Sequence, residues 1–487
     1  MKQLPVLHLS DEDVEASLKS AKPWYRDMDL PDPLGREDCF YRPDLLAEAA
    51  RQRVKEGRIW GCPSTIDYPK INGGSRRIVA FDPPTEAIYR SQAGGVRSAD
   101  RSLSRNVLHA RVHEIDSRHW QVKSWRQEQE RLRIMQSEWR RHRMTVGLLD
   151  IKDHYGSIRL DALENVLHSC GLPHLPVERL IASLRSLCDF PGIPKGLPVG
   201  CEPSAILGTV ALLPLDRVIT RESGIFVRWM DDVRLPGISR LRYDHLIGAV
   251  TESLSRVGQS LNLEKSIWPE EGMEDQVPSL LVARGVMFCD EAVDILEMAS
   301  ASGEYARVNQ ALGVLGNRGD IRGLEIIGQH LELFYRSPAP VGRYLKQVQS
   351  CLDAWEPLLD LMHLADRVHH PIVLVHLAQS LPHALLSAAE RQQIFDLAVS
   401  ALEEGEVVLS PFLFTLCTRG ARNQVAIQLR KRAFDLVHEV DDFNIGRSLL
   451  MGLRSGGSLP KTIRKQLAEL GQSRPDLECT TEWVLAA

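Results

Sequence analysis

The sequence predicts an α+β chain, with a mixed body of strands and helices followed by an all-α C-terminal region. Residues 144–295 hold the densest run of short apolar or β-branched segments, which are typical of strands of an antiparallel sheet. From about residue 297 onward, Leu, Ala, Arg and Glu recur at helical spacing between Gly- and Pro-containing turns. A stack of helix pairs and a compact helical bundle both fit this C-terminal spacing.

The individual elements follow from the same patterns. Strands are predicted at residues 144–149, 225–230, 233–235 and 280–288, and helices between them at residues 160–169 and 204–219. Residues 118–143 form a basic segment in which Trp125, Leu132 and Trp139 are spaced seven apart and would share one helical face. Two explanations stay open for that stripe, a core-facing surface and a platform for base stacking.

Charge is distributed unevenly along the 487 residues. The whole chain has a net charge of −5, but residues 51–150 contain 20 Lys and Arg against 11 Asp and Glu. A local basic block is what a phosphate backbone requires, so the acidic total does not exclude a nucleic-acid partner. Residues 1–50 are acidic, with 6 basic and 11 acidic side chains.

Neither the apolar segments nor the cysteines form a pattern typical of membrane targeting, disulfide bonding or zinc binding. No run of 18 or more apolar residues is present and the N-terminus lacks a signal-peptide pattern, so we expect a cytoplasmic protein with no membrane partner. The nine cysteines are scattered, without a CxxC pair. Reduced thiols are therefore expected rather than a disulfide framework or a zinc site.

Two segments carry carboxylates in a pattern suited to metal ions. In residues 146–158 an apolar run ends at Asp150, and in residues 225–237 two short apolar segments flank the adjacent Asp231 and Asp232. Adjacent aspartates repel each other, and a bound cation would relieve that repulsion. Aspartate is also a common turn residue, so the pair alone is compatible with simple turn chemistry.

Five segments, in order, resemble the motifs of bacterial reverse transcriptases. They are residues 68–78 (YPKINGGSRRI), 150–158 (DIKDHYGSI), 196–204 (GLPVGCEPS), 229–232 (WMDD) and 261–266 (LNLEKS). The third segment has Val199 where Gln is common, and it resembles the abortive-infection and other defence-associated members. The fourth has Trp229 where Tyr is common.

The resemblance implies a right-hand polymerase fold. Its regions would be an acidic extension at 1–50, basic fingers at 51–143, a palm at 144–295 and a helical thumb-like or α-repeat domain at 296–487. The implied enzyme is an RNA-directed DNA polymerase-type nucleotidyltransferase, because the three aspartates match the catalytic carboxylates of that family.

Roles are implied residue by residue. Asp150, Asp231 and Asp232 would be catalytic, and together with Ile151 they would hold Mg²⁺, with Mn²⁺ as an alternative. Tyr155 matches the residue that excludes a ribose 2′-hydroxyl, and Val199 would lie against the nascent base pair. The remaining substrate-binding positions are basic and would hold the triphosphate or the leaving pyrophosphate: Lys70, Arg76, Arg77 and Lys265.

The implied partners are dNTPs and a single-stranded DNA product, and a homo-oligomer is an open option. The resemblance favours antiphage defence by untemplated or protein-primed DNA synthesis. Two alternatives remain: templated cDNA synthesis on a dedicated non-coding RNA, as in retrons, and a catalytically silent nucleic-acid-binding scaffold. The presence of all three aspartates argues against the scaffold.

Overall fold

A computed structural model describes residues 14, 37–61, 63–69, 75–114, 120–269, 288–303, 305–354, 356–358, 360–361, 386–404, 409–418, 424–440, 443–454 and 459–486. They fall into two compact units. The sheet unit contains the described residues of 46–65 and 78–282, and the helical unit contains those of 31–45, 66–77 and 283–487. The predicted α+β class is confirmed at the level of a mixed α/β chain with small sheets.

The described residues before position 145 form short helices and strands. In chain order they are α1 (Glu37–Tyr41), α2 (Pro43–Glu56), β1 (Ser64–Pro69), β2 (Ser75–Ala80), α3 (Pro83–Gly94), a 3₁₀ turn (Arg97–Ser102), β3 (Val112–Glu114), β4 (Trp120–Val122) and α4 (Trp125–Arg141). Of these, α1 and the beginning of α2 belong to the helical unit, as do residues 66–69 of β1 and 75–77 of β2. Asp82 caps α3 by accepting a hydrogen bond from the Thr85 amide, and Arg53 Nη1 lies 2.6 Å from the same carboxylate.

The rest of the sheet unit contains the larger sheet and its supporting helices. The elements are β5 (Val146–Lys152), α5 (His154–Ser157), α6 (Leu160–Ser169), α7 (His174–Leu187), α8 (Glu202–Ala211), α9 (Leu213–Glu222), β6 (Val227–Trp229), β7 (Asp232–Pro236), α10 (Arg240–Arg256) and β8 (Ser260–Leu261). The predicted helix at 160–169 is confirmed. The single helix predicted at 204–219 is wrong in one respect, because it breaks at Leu212, just before Pro214 in the first turn of α9.

The four strands pair antiparallel in the order β6–β7–β5–β8. Three of the predicted strands are confirmed within a few residues, at β5, β6 and β7. The fourth, at 280–288, lies outside the described residues except for Phe288, which precedes a helix. Alternating residues Leu149, Ile151, Val233 and Leu235 join side chains of α9 and α10 in one buried core. The opposite face of the sheet carries the candidate site.

Helix α4 covers part of that opposite face. Leu132 is buried against Leu108 and Val227, and the half-buried Trp139 packs on Val146 and Leu148. The core-facing explanation of the tryptophan stripe therefore holds for the middle and end of the helix. Trp125, at the beginning of α4, is 36% exposed instead.

The helical unit is helical throughout residues 288–486 as far as they are described. Its helices there are α11 (Cys289–Ser302), α12 (Val308–Arg318), α13 (Arg322–Gln329), α14 (Glu332–Arg336), α15 (Pro338–Val348), α16 (Ala388–Glu403), α17 (Leu409–Thr418), α18 (Gln424–Val437), α19 (Phe443–Arg454), α20 (Lys461–Ser473) and α21 (Glu478–Leu485). Asp38 of α1 is fully buried in this unit, where Arg447 of α19 donates to both carboxylate oxygens and Thr480 of α21 donates to one. Residues 37–45 of the acidic N-terminal region thus belong to the helical unit.

The expected thiol state of the cysteines and the expected lack of a membrane-spanning segment can be compared with the described residues. All eight cysteines in those residues are free thiols. No single described helix is long and apolar enough to cross a membrane, although the bent pair α8–α9 meets that criterion by length and composition. All ten residues of α8 are buried.

Candidate active site

The two adjacent aspartates lie at a tight turn between β6 and β7. Trp229 pairs with Asp232 across the two strands, so Met230 and Asp231 form a two-residue connection. We call residues 229–232 the aspartate turn. Met230 has a φ of 56°, in the left-handed region that residues other than glycine seldom adopt. Such a conformation persists only where its surroundings impose it, and it is frequent at functional sites.

Asp150 lies directly opposite Asp232. The two residues are register partners on β5 and β7, so their side chains emerge from the same face of the sheet. The residues after β8 fix the other edge of β5, because the Asn262 amide donates to the Asp150 carbonyl at 2.8 Å and Ser266 Oγ accepts from the Asp150 amide at 3.1 Å. Segments far apart in the sequence therefore bring two predicted carboxylates together.

Burial is the main influence on the charge of Asp232. Burial raises the pKa of Asp232, and the neighbouring Asp150 raises it further, while Arg234 and Lys265 lower it. Lys265 Nζ lies 3.7 Å from Asp150 Oδ2, which places the predicted pyrophosphate-side lysine beside the carboxylates. Its side chain is 55% exposed, so it is free to turn toward a phosphate group.

The donor set fits a hard divalent cation. Asp150 and Asp232 offer carboxylate oxygens, and Mg²⁺ is commonly held by one or two carboxylates together with substrate phosphates. Ile151 has its side chain in the apolar core, which leaves its main-chain carbonyl as its oxygen donor. Among the described residues no group of three or more His, Cys, Asp and Glu side chains converges on one point, so Asp231 does not complete a three-carboxylate cluster.

Tyr155 contacts the aspartate turn. Its hydroxyl donates to Met230 Sδ at 3.4 Å, and its carbonyl accepts from the Leu197 amide at 2.9 Å. Two glycines make room for it: a Cβ added at Gly196 would lie 2.2 Å from the Tyr155 carbonyl oxygen, and one at Gly208 would lie 3.0 Å from its ring. The second and third motifs therefore pack together around the proposed 2′-hydroxyl gate.

Val199 is anchored through its main chain. Its carbonyl accepts from the Val79 amide of β2 at 2.8 Å, and its side chain is half-buried. Gly200 follows with a φ of 108°, and a Cβ there would lie 2.4 Å from Ile78 Cγ2. Only glycine fits this close approach of the third motif to the first.

The remaining predicted triphosphate ligands are Lys70, Arg76 and Arg77. Lys70 lies outside the described residues. Arg76 and Arg77 are exposed on β2, in the part of the strand that belongs to the helical unit, and Arg77 pairs with Asp67. Their assignment as triphosphate ligands stays a prediction.

Sequence reasoning missed two arginines on the strands of the aspartate turn. Arg228 on β6 is fully buried, and Arg234 on β7 is 7% exposed. Each interrupts an apolar segment, and a charged residue within a buried strand is the signal that could have identified them. Arg228 lies on the core side of the sheet, opposite Val233, whereas Arg234 shares the face of Asp232.

The sequence matches no protein-family model and no curated protein. The function of the site is therefore inferred from its geometry.

Proposed function

We propose that this chain is a reverse-transcriptase-type DNA polymerase that adds dNTPs by magnesium-dependent nucleotidyl transfer, on a right-hand polymerase fold. One observation carries the proposal. The strand on which the second motif begins and the hairpin of the fourth motif pair so that Asp150 faces Asp232, with Tyr155 against the hairpin and Lys265 against Asp150. Four of the five resembling segments thus meet at one end of a single sheet or beside it.

Each group has a distinct task in this proposal. Bound Mg²⁺ would activate the attacking 3′-hydroxyl and neutralise charge on the phosphates. Asp150 and Asp232 would hold that metal, and Lys265 would release Asp150 and move to the leaving pyrophosphate. The Tyr155 ring, fixed between Gly208 and Met230, would exclude nucleotides that carry a 2′-hydroxyl.

The biological setting of the proposal is antiphage defence, with DNA synthesis that is untemplated or primed by a protein hydroxyl. It rests on the resemblance of residues 196–204 to the defence-associated enzymes and on the long helical unit. A helical surface could hold a growing single strand in the absence of a template duplex. Copying of a dedicated non-coding RNA is the alternative outcome of the test below.

The central test is a matched pair of amide substitutions on one strand–turn segment. Asp150→Asn removes a proposed metal-binding charge with almost no change of shape, and it should reduce dNTP incorporation below detection. Asp153→Asn is the control: Asp153 is exposed, and its φ of 45° suits asparagine. Incorporation of radiolabelled dNTPs with Mg²⁺ measures the activity of both variants. Full activity of Asp150→Asn would refute the proposal, and an inert wild type would favour a silent nucleic-acid-binding scaffold.

The mode of synthesis is tested on the product. Wild-type protein is incubated with Mg²⁺ and each dNTP, with and without RNase treatment, and the product is run on a denaturing gel before and after proteinase K. Protein priming predicts DNA that enters the gel only after proteolysis. Loss of product after RNase treatment, with a defined product sequence, would instead indicate a copied RNA.

A further inference from the structure

Arg228 is a fully buried arginine one residue before the aspartate turn. Its guanidinium donates to both carboxylate oxygens of Asp216 on α9, each at 2.7 Å, and to the Thr209 carbonyl of α8 at 3.1 Å. A fourth hydrogen bond, from Nη1, reaches the Met230 carbonyl at 2.9 Å. The side chain thus connects two helices of the apolar core to the first residue of the two-residue connection.

The main chain of β6 does not need this side chain to stay in place. The Arg228 amide donates to the Asn106 carbonyl at 2.9 Å and its carbonyl accepts from the Leu108 amide at 2.9 Å, while β7 pairs along the other edge. A buried ion pair is also a poor source of stability, since apolar residues of similar size commonly replace one without loss. The arrangement is better explained by what Arg228 holds.

What it holds is the Met230–Asp231 peptide. Met230 has left-handed backbone geometry, and the Arg228 bond to its carbonyl fixes the orientation of the peptide that leads into Asp231. Asp216 in turn fixes the guanidinium, because two parallel hydrogen bonds define the plane of the fork.

We infer that Arg228 and Asp216 are a positioning pair that sets the conformation of the aspartate turn and so directs Asp232 toward the metal. This inference rests on the proposed function for its catalytic consequence. Its structural content, that the pair determines the geometry of the turn, is independent of that function. Both residues are buried, so the pair acts through the turn.

The informative variant removes both charges together. Arg228→Met alone leaves Asp216 buried without its partner and risks unfolding. Arg228→Met with Asp216→Leu removes that problem and also removes the bond to Met230, so the double variant should keep a melting temperature near that of the wild type. Arg228→Lys keeps the charge opposite Asp216 but loses the planar fork. Arg53→Met with Asp82→Asn is the matched control, because Arg53 and Asp82 form a mostly buried ion pair away from the turn and asparagine can still cap α3.

Three measurements distinguish a role of the pair in positioning the aspartate turn from a role in folding. The Met230 methyl resonance, in protein labelled with ¹³C-methyl methionine and assigned with Met230→Leu, should shift or broaden in the double variant and stay unchanged in the control. The half-saturating Mn²⁺ concentration should rise at least about 10-fold, as for other residues that orient metal ligands. For an active enzyme, kcat should fall about 10²-fold with KM for dNTP within about twofold.

The possible results lead to distinct conclusions. A folded double variant with an unchanged Met230 resonance and unchanged Mn²⁺ binding would overturn the inference. A double variant that cannot fold would assign the pair to the fold, and would overturn it as well. A wild type that neither binds Mn²⁺ nor incorporates dNTPs would refute the proposed function instead, and the Met230 resonance alone would then decide whether the pair sets the turn.

Discussion

Substitution of Asp232 by asparagine should stabilise the metal-free protein. Asp232 is mostly buried and directly opposite Asp150, and like charges in that cross-strand position destabilise a sheet. Burial is the largest cost of the Asp232 charge, and the attraction of Arg234 and Lys265 offsets part of it. The net effect should therefore stay within the range of roughly 0.2–1 kcal/mol found for cross-strand charge pairs. Asp232→Asn removes one charge with little change of shape. We expect the free energy of unfolding at pH 7, in EDTA, to rise by about 0.5–1 kcal/mol.

The pH dependence has a defined sign. Burial, and then Asp150, raise the pKa of Asp232 above its ordinary value of 3.8. Between that value and the raised pKa, the native state binds more protons than the unfolded chain, so the contribution of this group to stability falls as the pH rises. Above the raised pKa the whole penalty is present. The gain from Asp232→Asn should therefore grow with pH across this window and stay constant above it.

Urea unfolding followed by circular dichroism, with EDTA or with Mg²⁺, measures the effect. Mg²⁺ at 100 times its Kd would stabilise the wild type by about 2.7 kcal/mol, and the variant, with one ligand charge fewer, should gain much less. The order of stability should therefore reverse between the two conditions. A variant that is less stable than the wild type in EDTA, or an equal response of both proteins to Mg²⁺, would refute this reasoning.

Two further substitutions test neighbours of the aspartates. Tyr155→Ala should admit ribonucleotides, because the ring that contacts Met230 is the proposed steric barrier. The ratio of rNTP to dNTP incorporation measures this discrimination. An active variant with unchanged discrimination would contradict the assigned role. Arg234→Met should raise the free energy of unfolding by about 1–2 kcal/mol, since Nε and Nη1 are buried and have no hydrogen-bond partner in the described part of the chain. Chemical denaturation checks this gain, and a loss of stability would show that Arg234 has a structural role.

Local patterns were sufficient to predict the elements that carry the aspartates. Each strand alternates or runs apolar up to its carboxylate, and the flanking segments of the aspartate turn are too short for anything but a hairpin. The same logic located α6 and the middle of α4. These features depend on residues a few positions apart, which is the distance over which periodicity is informative.

The features that escaped prediction depend on distant partners. Nothing in the sequence indicates that Ser266 would accept a hydrogen bond from the Asp150 amide, or that Asp216 would meet Arg228 across two elements. Trp125 illustrates a different failure. Its spacing from Leu132 places it on the apolar face of α4, but the helix extends past the core at its beginning and the ring is left exposed.

The two arginines of the β6–β7 hairpin show how a structure separates groups that look equivalent in sequence. Both interrupt apolar strands and both are nearly or fully buried. Arg228 faces the core, where four hydrogen bonds occupy its guanidinium, so its charge is internal to the fold. Arg234 faces the aspartates, and two of its nitrogens have no partner in the described residues.

A buried guanidinium without partners costs free energy. Under the proposed function, a phosphate of the nucleotide or of the growing strand would supply the acceptors that Arg234 lacks. The stability gain expected for Arg234→Met should therefore be accompanied by weaker retention of DNA, whereas the control with both Arg53→Met and Asp82→Asn should leave retention unchanged.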